Sequence, residues 1–273
     1  MLIKKNSNLL TILFFGDIIG KIGRRALLKY IPKARAEFKP DLVIANVENL
    51  AHGKSVTQKT WQDLVEAGVD FGTSGNHIFK KPEGVEMLDQ DYPIIRPANY
   101  PPNTPGRGFQ VVETAKGEIL LANLLGQLFM KDDPPATNPF NKLTEILDNH
   151  PDIKMKLVDF HAEATSEKVA MGLLFDGRVS AVLGTHTHIP TADGRILSRG
   201  TGYITDAGMV GAKNSIIGGA PENLLLSFEG KQEKSLFEIP ETGVCLINAV
   251  LLKIDPATGL TVEFKRLDAE IEV

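Results

Sequence analysis

The stretch that decides the fold runs from Leu9 to Asn49: LLTILFFGDIIGKIGRRALLKYIPKARAEFKPDLVIANVEN. Its opening run, Leu9–Phe15, is short, apolar and bulky, which reads as a buried β-strand. Gly16-Asp17 ends it. Across Lys21–Phe38, Ile22, Ala26, Tyr30 and Ala34 recur at four-residue spacing, as on a helix with one buried face. Pro32 is expected to kink or split that helix. Asp41–Val47 reads as a second strand, Gln58–Ala67 as a helix and Val69–Ser74 as a third strand. This β-α-β-α-β rhythm favours parallel pairing and places the chain in the α/β class.

Further along, the proline-rich stretch Tyr92–Arg107 reads as an irregular surface segment rather than a linker, because apolar strands resume at once. Gly108–Thr114 and Glu118–Leu124 look like a hairpin closed by Ala115-Lys116-Gly117. Lys131–Pro139 is long enough for a lid or rim. The β/α rhythm then returns, with strands at Met155–Phe160 and Val179–Gly184 around a helix at Glu163–Phe175. Two last strands, Val244–Ile254 and Leu260–Leu267, flank a turn over residues 255–259. With no internal repeat, one compact domain over residues 1–273 with two sheets is the economical reading.

Composition narrows the partners. Of 273 residues, 42% are hydrophobic and 23% charged, as in ordinary globular proteins. A formal charge of −4 and the lack of a basic stripe give no strong nucleic-acid footprint. A small phosphorylated substrate needs only a locally positive pocket. Cys245 is the lone cysteine and sits in an apolar run, so it reads as a small buried hydrophobe on a strand. The lysines and apolar residues of MLIKKNSNLLTILFFGD imitate a signal peptide, but the run is short and lacks a small-residue cleavage site. No segment has the apolar length of a membrane span. The expectation is a cytoplasmic protein, for which a homo-oligomer is left open.

The informative pattern is where ligand-type residues fall. Asp17, Glu48-Asn49, Asn76-His77, His161, and His186 with His188 each stand just beyond a predicted strand. In open α/β sheets that edge collects ligands, because side chains from adjacent strands converge there. One such residue would be noise; five strand ends make a site. Glycine at position 75 is expected to permit a tight turn that aims Asn76 and His77 into the cleft. His186 and His188, two apart on extended chain, should point the same way. His52 and His150 read as surface residues. The set supplies carboxylate, amide and imidazole without thiolate, which suits first-row metals such as Fe, Mn, Zn or Co. Two divalent ions would outweigh Asp17 and Glu48, leaving a centre that favours phosphate.

Taken in order, Gly16-Asp17, Asn46-x-Glu48-Asn49, Gly75-Asn76-His77, His161 and Gly184-Thr-His186-Thr-His188 resemble the calcineurin-like metallophosphoesterases. More closely they are similar to the bacterial YmdB-like branch, described as cyclic-nucleotide phosphodiesterases. The likeness runs from about Leu9 to Gly219 and includes Tyr203-Ile-Thr-Asp-Ala-Gly-Met209. It implies a four-layer α/β/β/α sandwich with two mixed sheets. It also implies two metal ions, Fe or Mn first and Zn as the alternative. Asp17, Asn49 and His188 would hold the first ion; Asn76, His161 and His186 would hold the second; Glu48 would bridge. His77, with Asn49 beside it, would contact the phosphate and serve as the acid. The implied reaction is hydrolysis of a 2′,3′- or 3′,5′-cyclic nucleotide by metal-activated water. Ile19 stands where the wider superfamily has histidine, and Glu48 where it has aspartate; both are features of the branch. The loop Leu50-Ala51-His52-Gly53 lacks the branch's usual paired glycines.

Rival readings fare worse. Gly16–Ile22 imitates a P-loop, but its glycines are too close and no Ser or Thr follows Lys21. Thr73-Ser74-Gly75 lacks the leading glycine of a serine-hydrolase elbow. A nuclease or phosphomonoesterase on the same scaffold stays open, as does a non-catalytic regulator that binds RNA or a protein through a retained metal site.

Overall fold

The structure is a computed structural model that describes residues 8–131, 135–232 and 237–273. The signal-like residues before Asn8 and the centre of the expected lid lie outside the described residues. In chain order the elements are β1 (Leu10–Ile18), α1 (Gly20–Phe38), β2 (Leu42–Asn46), α2 (Gln58–Ala67), β3 (Phe71–Thr73) and α3 (Pro82–Leu88). Then come β4 (Phe109–Thr114), β5 (Gly117–Leu125), α4 (Pro139–Asp148), β6 (Met155–His161), α5 (Thr165–Leu174) and β7 (Ala181–Thr185). The chain closes with β8 (Arg195–Ile196), β9 (Gly202–Ile204), β10 (Met209–Ala212), α6 (Pro221–Phe228), β11 (Val244–Ile254) and β12 (Thr261–Glu272).

Among the described residues these strands make two sheets, ordered β12-β11-β10-β1-β2-β3 and β4-β5-β6-β7-β9-β8. Both are mixed. Parallel β10-β1-β2-β3 is extended by antiparallel β11 and β12, and parallel β5-β6-β7-β9 is flanked by antiparallel β4 and β8.

The strand alternation explains the layers. Leu10, Ile12 and Phe14 point to one side of β1 and join Leu42 and Ile44 against Leu121, Leu157 and Leu183 of the other sheet. Leu13 and Phe15 point to the opposite side, where Ile22, Ala26, Trp61 and Leu64 of α1 and α2 cover them. On the second sheet Leu120, Leu124 and Phe160 face outward onto Leu143, Leu147 and Met171 of α4 and α5. The order is therefore helix, sheet, sheet, helix, as expected, and strands buried on both faces explain why β1 and β2 read as unbroken apolar runs.

Several local expectations shift. Pro32 does not split α1. It lies on the exposed face with Leu28, whose carbonyl it leaves without a helical donor and which water can serve instead. α3, α4 and α6 were not apparent in the pattern. The stretch Tyr92–Arg107 is irregular, and Arg96 organises it: the buried guanidinium donates to the carbonyls of Pro97, Thr104 and Pro105. Cys245 is buried on β11, and burial pushes its thiol up to about 12.

The chain crosses from the second sheet to the first between β9 and β10, through Thr205–Gly208, close to the strand ends. A side chain at Gly184 would strike the Thr205 carbonyl, and one at Gly16 the Gly208 carbonyl, so both flanking strands meet the crossing as bare backbone. Asp206 anchors it: its carboxylate accepts from Lys168 Nζ at 2.7 Å and from Thr187 N and Oγ1. Lys168 and Asp206 are both buried, so neither charge has water to fall back on. Lys168→Met is therefore expected to cost about 3–5 kcal/mol, the penalty of stranding a buried partner. Urea unfolding would measure it, and a loss under about 1 kcal/mol would show that Asp206 is compensated otherwise.

Candidate metal centre

At the carboxyl ends of the central strands lies a cavity of about 680 Å³, with Glu48, Asn49, His77, His186 and His188 among its lining residues. Asp17 reaches the site through a bulge. Phe15 pairs with Ala45 and Asp17 with Asn46, so Gly16 is an extra residue that turns the carboxylate toward the second sheet. Glu48 and Asn49 leave the end of β2, where Asn46 braces them: its Oδ1 accepts from Glu48 N, and its Nδ2 donates to Ser74 O and Asp159 Oδ2.

Asn76 and His77 open a short 3-10 turn, Asn76–Lys80. Gly75 before them has φ −156, a conformation open to any residue, so the tight-turn expectation gives way to a different reason. A Cβ there would collide with the Glu48 carboxylate and the His161 ring. Gly75 is bare because the site fills its space. His161 is the last residue of β6. His186 and His188 follow β7, but not as extended chain: their φ values are 100 and 66. Such backbone costs on the order of 1–3 kcal/mol per residue and persists only when held. Here Asp17 Oδ2 accepts from His186 N at 3.0 Å, and Asp206 holds the intervening Thr187.

Seven of the eight sequence-predicted residues meet directly, Asn76 being the exception. Asp17 Oδ1 is 3.8 Å from His188 Nε2 and 4.0 Å from His161 Nδ1. Glu48 Oε1 is 3.2 Å from His161 Nε2, which is 3.0 Å from His186 Nδ1. Asn49 Nδ2 lies 3.1 Å from Glu48 Oε1 and 3.2 Å from His188 Nε2. His77 donates its backbone N–H to Glu48 Oε2 at 3.1 Å, and its Nδ1 is 3.0 Å from Asn49 Oδ1. Asn76 is joined to the cluster through Gly75.

Each histidine has one ring nitrogen committed to the protein, which fixes the other. His188 Nδ1 donates to the Ile217 carbonyl at 2.8 Å, and His186 Nε2 to the Glu163 carboxylate at 3.1 Å. His161 Nδ1 donates to Thr185 Oγ1, whose own proton goes to Asp159. The nitrogens left over, His188 Nε2 and His186 Nδ1, turn inward, as does His161 Nε2, which meets Glu48 Oε1. Outer acceptors of this kind orient histidines toward a metal.

The electrostatics agree. Burial raises the Asp17 carboxyl above its usual range. Burial would raise Glu48 too, but His161 beside it holds Glu48 well below the carboxylate range. Although burial opposes its charge, Glu48 lifts His161 to about 9. Burial, then the neighbouring His161, lowers His186 to about 3, so it stays neutral with an electron pair to give. Burial also lowers His77.

A metal fits this arrangement. One ligand atom each from Glu48, His161 and His186 lie within 4.8 Å of one another, a possible metal site. Asp17 Oδ1 and Asn76 Oδ1 are buried without a hydrogen-bond partner. Orphaned buried oxygens are costly, and both belong to the predicted ligand set. Asn49 places its amide group between Glu48 and His188. Sequence reasoning missed Glu163, although its place two residues beyond His161 was a usable signal. It also passed over His52 and Lys54, which line the cavity with Ile217 and Phe237. His150, expected on the surface, is half-buried, bonding Ile146 O and packing edge-on against Phe109.

Comparison with known proteins extends this picture. A profile of the YmdB-like protein family matches residues 13–267. The chain is 41% identical over 257 residues to the 2′,3′-cyclic-nucleotide 2′-phosphodiesterase of Bacillus subtilis (strain 168), covering 94% of this chain and 96% of that protein. A crystal structure described as a novel phosphatase of Mycoplasma pneumoniae superposes with a TM-score of 0.90 at 35% identity, covering 97% and 94% of the two chains. A hypothetical protein from Thermus thermophilus superposes with a TM-score of 0.88 at 40% identity, covering 95% and 99%. Over nearly its whole length, then, this chain belongs to the YmdB-like protein family.

Proposed function

We propose that this protein is a metal-dependent phosphodiesterase that opens nucleoside 2′,3′-cyclic phosphates. One observation carries the reading: electron-pair donors from both sheets converge on one cavity with more acceptors than protons to satisfy them. The Bacillus subtilis relative, which acts on 2′,3′-cyclic nucleotides by name, supports the substrate class.

Asp17, Asn49 and His188 would hold one ion, Asn76, His161 and His186 the other, and Glu48 would serve both; iron or manganese suits these donors best, with zinc next. When bound, such a pair supplies Lewis acidity, lowering the pKa of water and offsetting charge on the phosphoryl oxygens. The chain's own groups do the rest. Lys54 brings positive charge to the cavity and His52 a ring that can hydrogen-bond, while Ile217 and Phe237 offer apolar surface for a nucleoside. As water oxygen joins phosphorus, the bond to the ribose oxygen breaks and that oxygen needs a proton. His77 is one-third exposed in the cavity; its Nε2, the nitrogen not engaged with Asn49, would carry that proton in the doubly protonated ring and give it to the ribose oxygen.

Two measurements test this. Adding Mn²⁺ at a hundredfold excess over its Kd to metal-stripped protein should add about 2.7 kcal/mol of stability. For a chain of this size that is roughly 5–10 °C in Tm. His188→Ala should lose the shift, and an unshifted wild type would refute the metal reading. In the second, 2′,3′-cyclic AMP is supplied with Mn²⁺. Glu48→Gln should abolish turnover, while His77→Ala should keep the thermal shift and lose about a hundredfold to ten-thousandfold in kcat. A wild type that binds metal yet turns over no phosphodiester would favour a binding protein instead.

A further inference from the structure

A second cavity, of about 560 Å³, lies between the irregular stretch Tyr92–Arg107, the start of β4 and α4. It shares no lining residue with the cavity at the metal centre. Its volume is in the range of clefts that hold small molecules. Its wall is charged. Arg96 Nε, Nη1 and Nη2 each donate to one backbone carbonyl, which uses three of the five guanidinium N–H groups. The residue is 6% exposed, and burial pushes its pKa down, with only the Tyr100 phenol acting the other way. No carboxylate therefore answers that charge among the described residues, and carbonyl dipoles soften it without cancelling it.

Arg107 lines the same wall, and its partner Asp91 stands 3.6 Å away and fully exposed, where a pair is screened and weak. Lys142 is matched by Glu145, 2.8 Å away. Three cations thus face one carboxylate across the cavity, a surplus of two positive charges. Phe109, the first residue of β4, adds an aromatic ring that is 36% exposed and rests edge-on against His150. Such a ring at a cavity wall takes a planar group by stacking. Asn138 and Asn141, at the start of α4, bring amides that can bond hydroxyls.

We propose that this cavity is a binding site for a nucleoside monophosphate, separate from the metal centre. The charge surplus selects the monoester. Above its second pKa, about 6, a phosphomonoester carries two negative charges, whereas a diester such as a cyclic nucleotide carries one. Arg96 and Arg107 take the phosphate, whose oxygens a guanidinium fork matches, and Phe109 takes the base. The site would hold the product class of cyclic-nucleotide opening and pass over the substrate class. It stands whether or not the metal-dependent reading does.

Calorimetric titration of the full chain at mildly alkaline pH tests this, with metal stripped so that nothing turns over. Adenosine 3′-monophosphate should bind saturably, and about tenfold more tightly than 2′,3′-cyclic AMP or inorganic phosphate. Arg107→Ala should weaken it about tenfold to a hundredfold. Glu145→Gln, which removes the opposing charge, should tighten it about two- to fivefold. Opposite signs from two substitutions in one wall cannot come from a damaged fold. No binding at millimolar ligand overturns the proposal. Binding that both variants leave unchanged overturns it too, because the nucleotide then sits elsewhere. Equal affinity for the cyclic ester overturns the charge match, and equal affinity for inorganic phosphate overturns the part given to Phe109.

Discussion

Asp17 and Glu48 lie together where the two sheets end, 0% and 1% exposed, and charge in that position must be met by opposite charge or proton. Within the protein it is met only in part. His161, drawn up to about 9 by Glu48, supplies one positive charge, and Asn49 supplies amide hydrogens. Asp17 Oδ1 and Asn76 Oδ1 receive nothing. A pocket built this way has oxygen donors to spare, and the surrounding structure reads as a set of devices for keeping them aimed.

Those devices have a cost that the fold bears elsewhere. The bulge at Gly16 interrupts the β1–β2 pairing, and His186 and His188 adopt backbone conformations that L-residues avoid. Nothing local would stabilise them. What does is burial of the four-layer core together with polar ties, Asn46 to Asp159 between the sheets and Asp206 to Lys168 and Thr187 at the crossing. Strain at the histidine loop is thus balanced by contacts that make no direct use of a metal.

Much of this was legible in the sequence, and the boundary of legibility is physical. Strands β1, β2, β6 and β7 are buried on both faces, so their composition announces them, and ligand residues at their ends follow from sheet geometry. α4 and α6 are short, and each opens on a proline, Pro139 or Pro221, that reads as loop punctuation as readily as a helix start. The extended-chain reading of His186 and His188 fails, because their backbone is held by Asp17 and Asp206, which lie elsewhere in the sequence. Gly75 likewise is explained by what stands next to it in space. Donor identity is a local property; the angle at which a donor is held is a tertiary one.

The crossing at Thr205–Gly208 carries a last implication. Gly208 O accepts from Asp17 N, and Ala207 N donates to Gly184 O, so four consecutive residues rivet the carboxylate side of the cavity to the imidazole side. Because the rivets are peptide groups meeting where Gly16 and Gly184 have no side chain, the span across the cavity is set by covalent backbone dimensions, which rotamer changes cannot alter. The cleft is therefore a fixed gauge, its width written into the main chain before any donor side chain is placed.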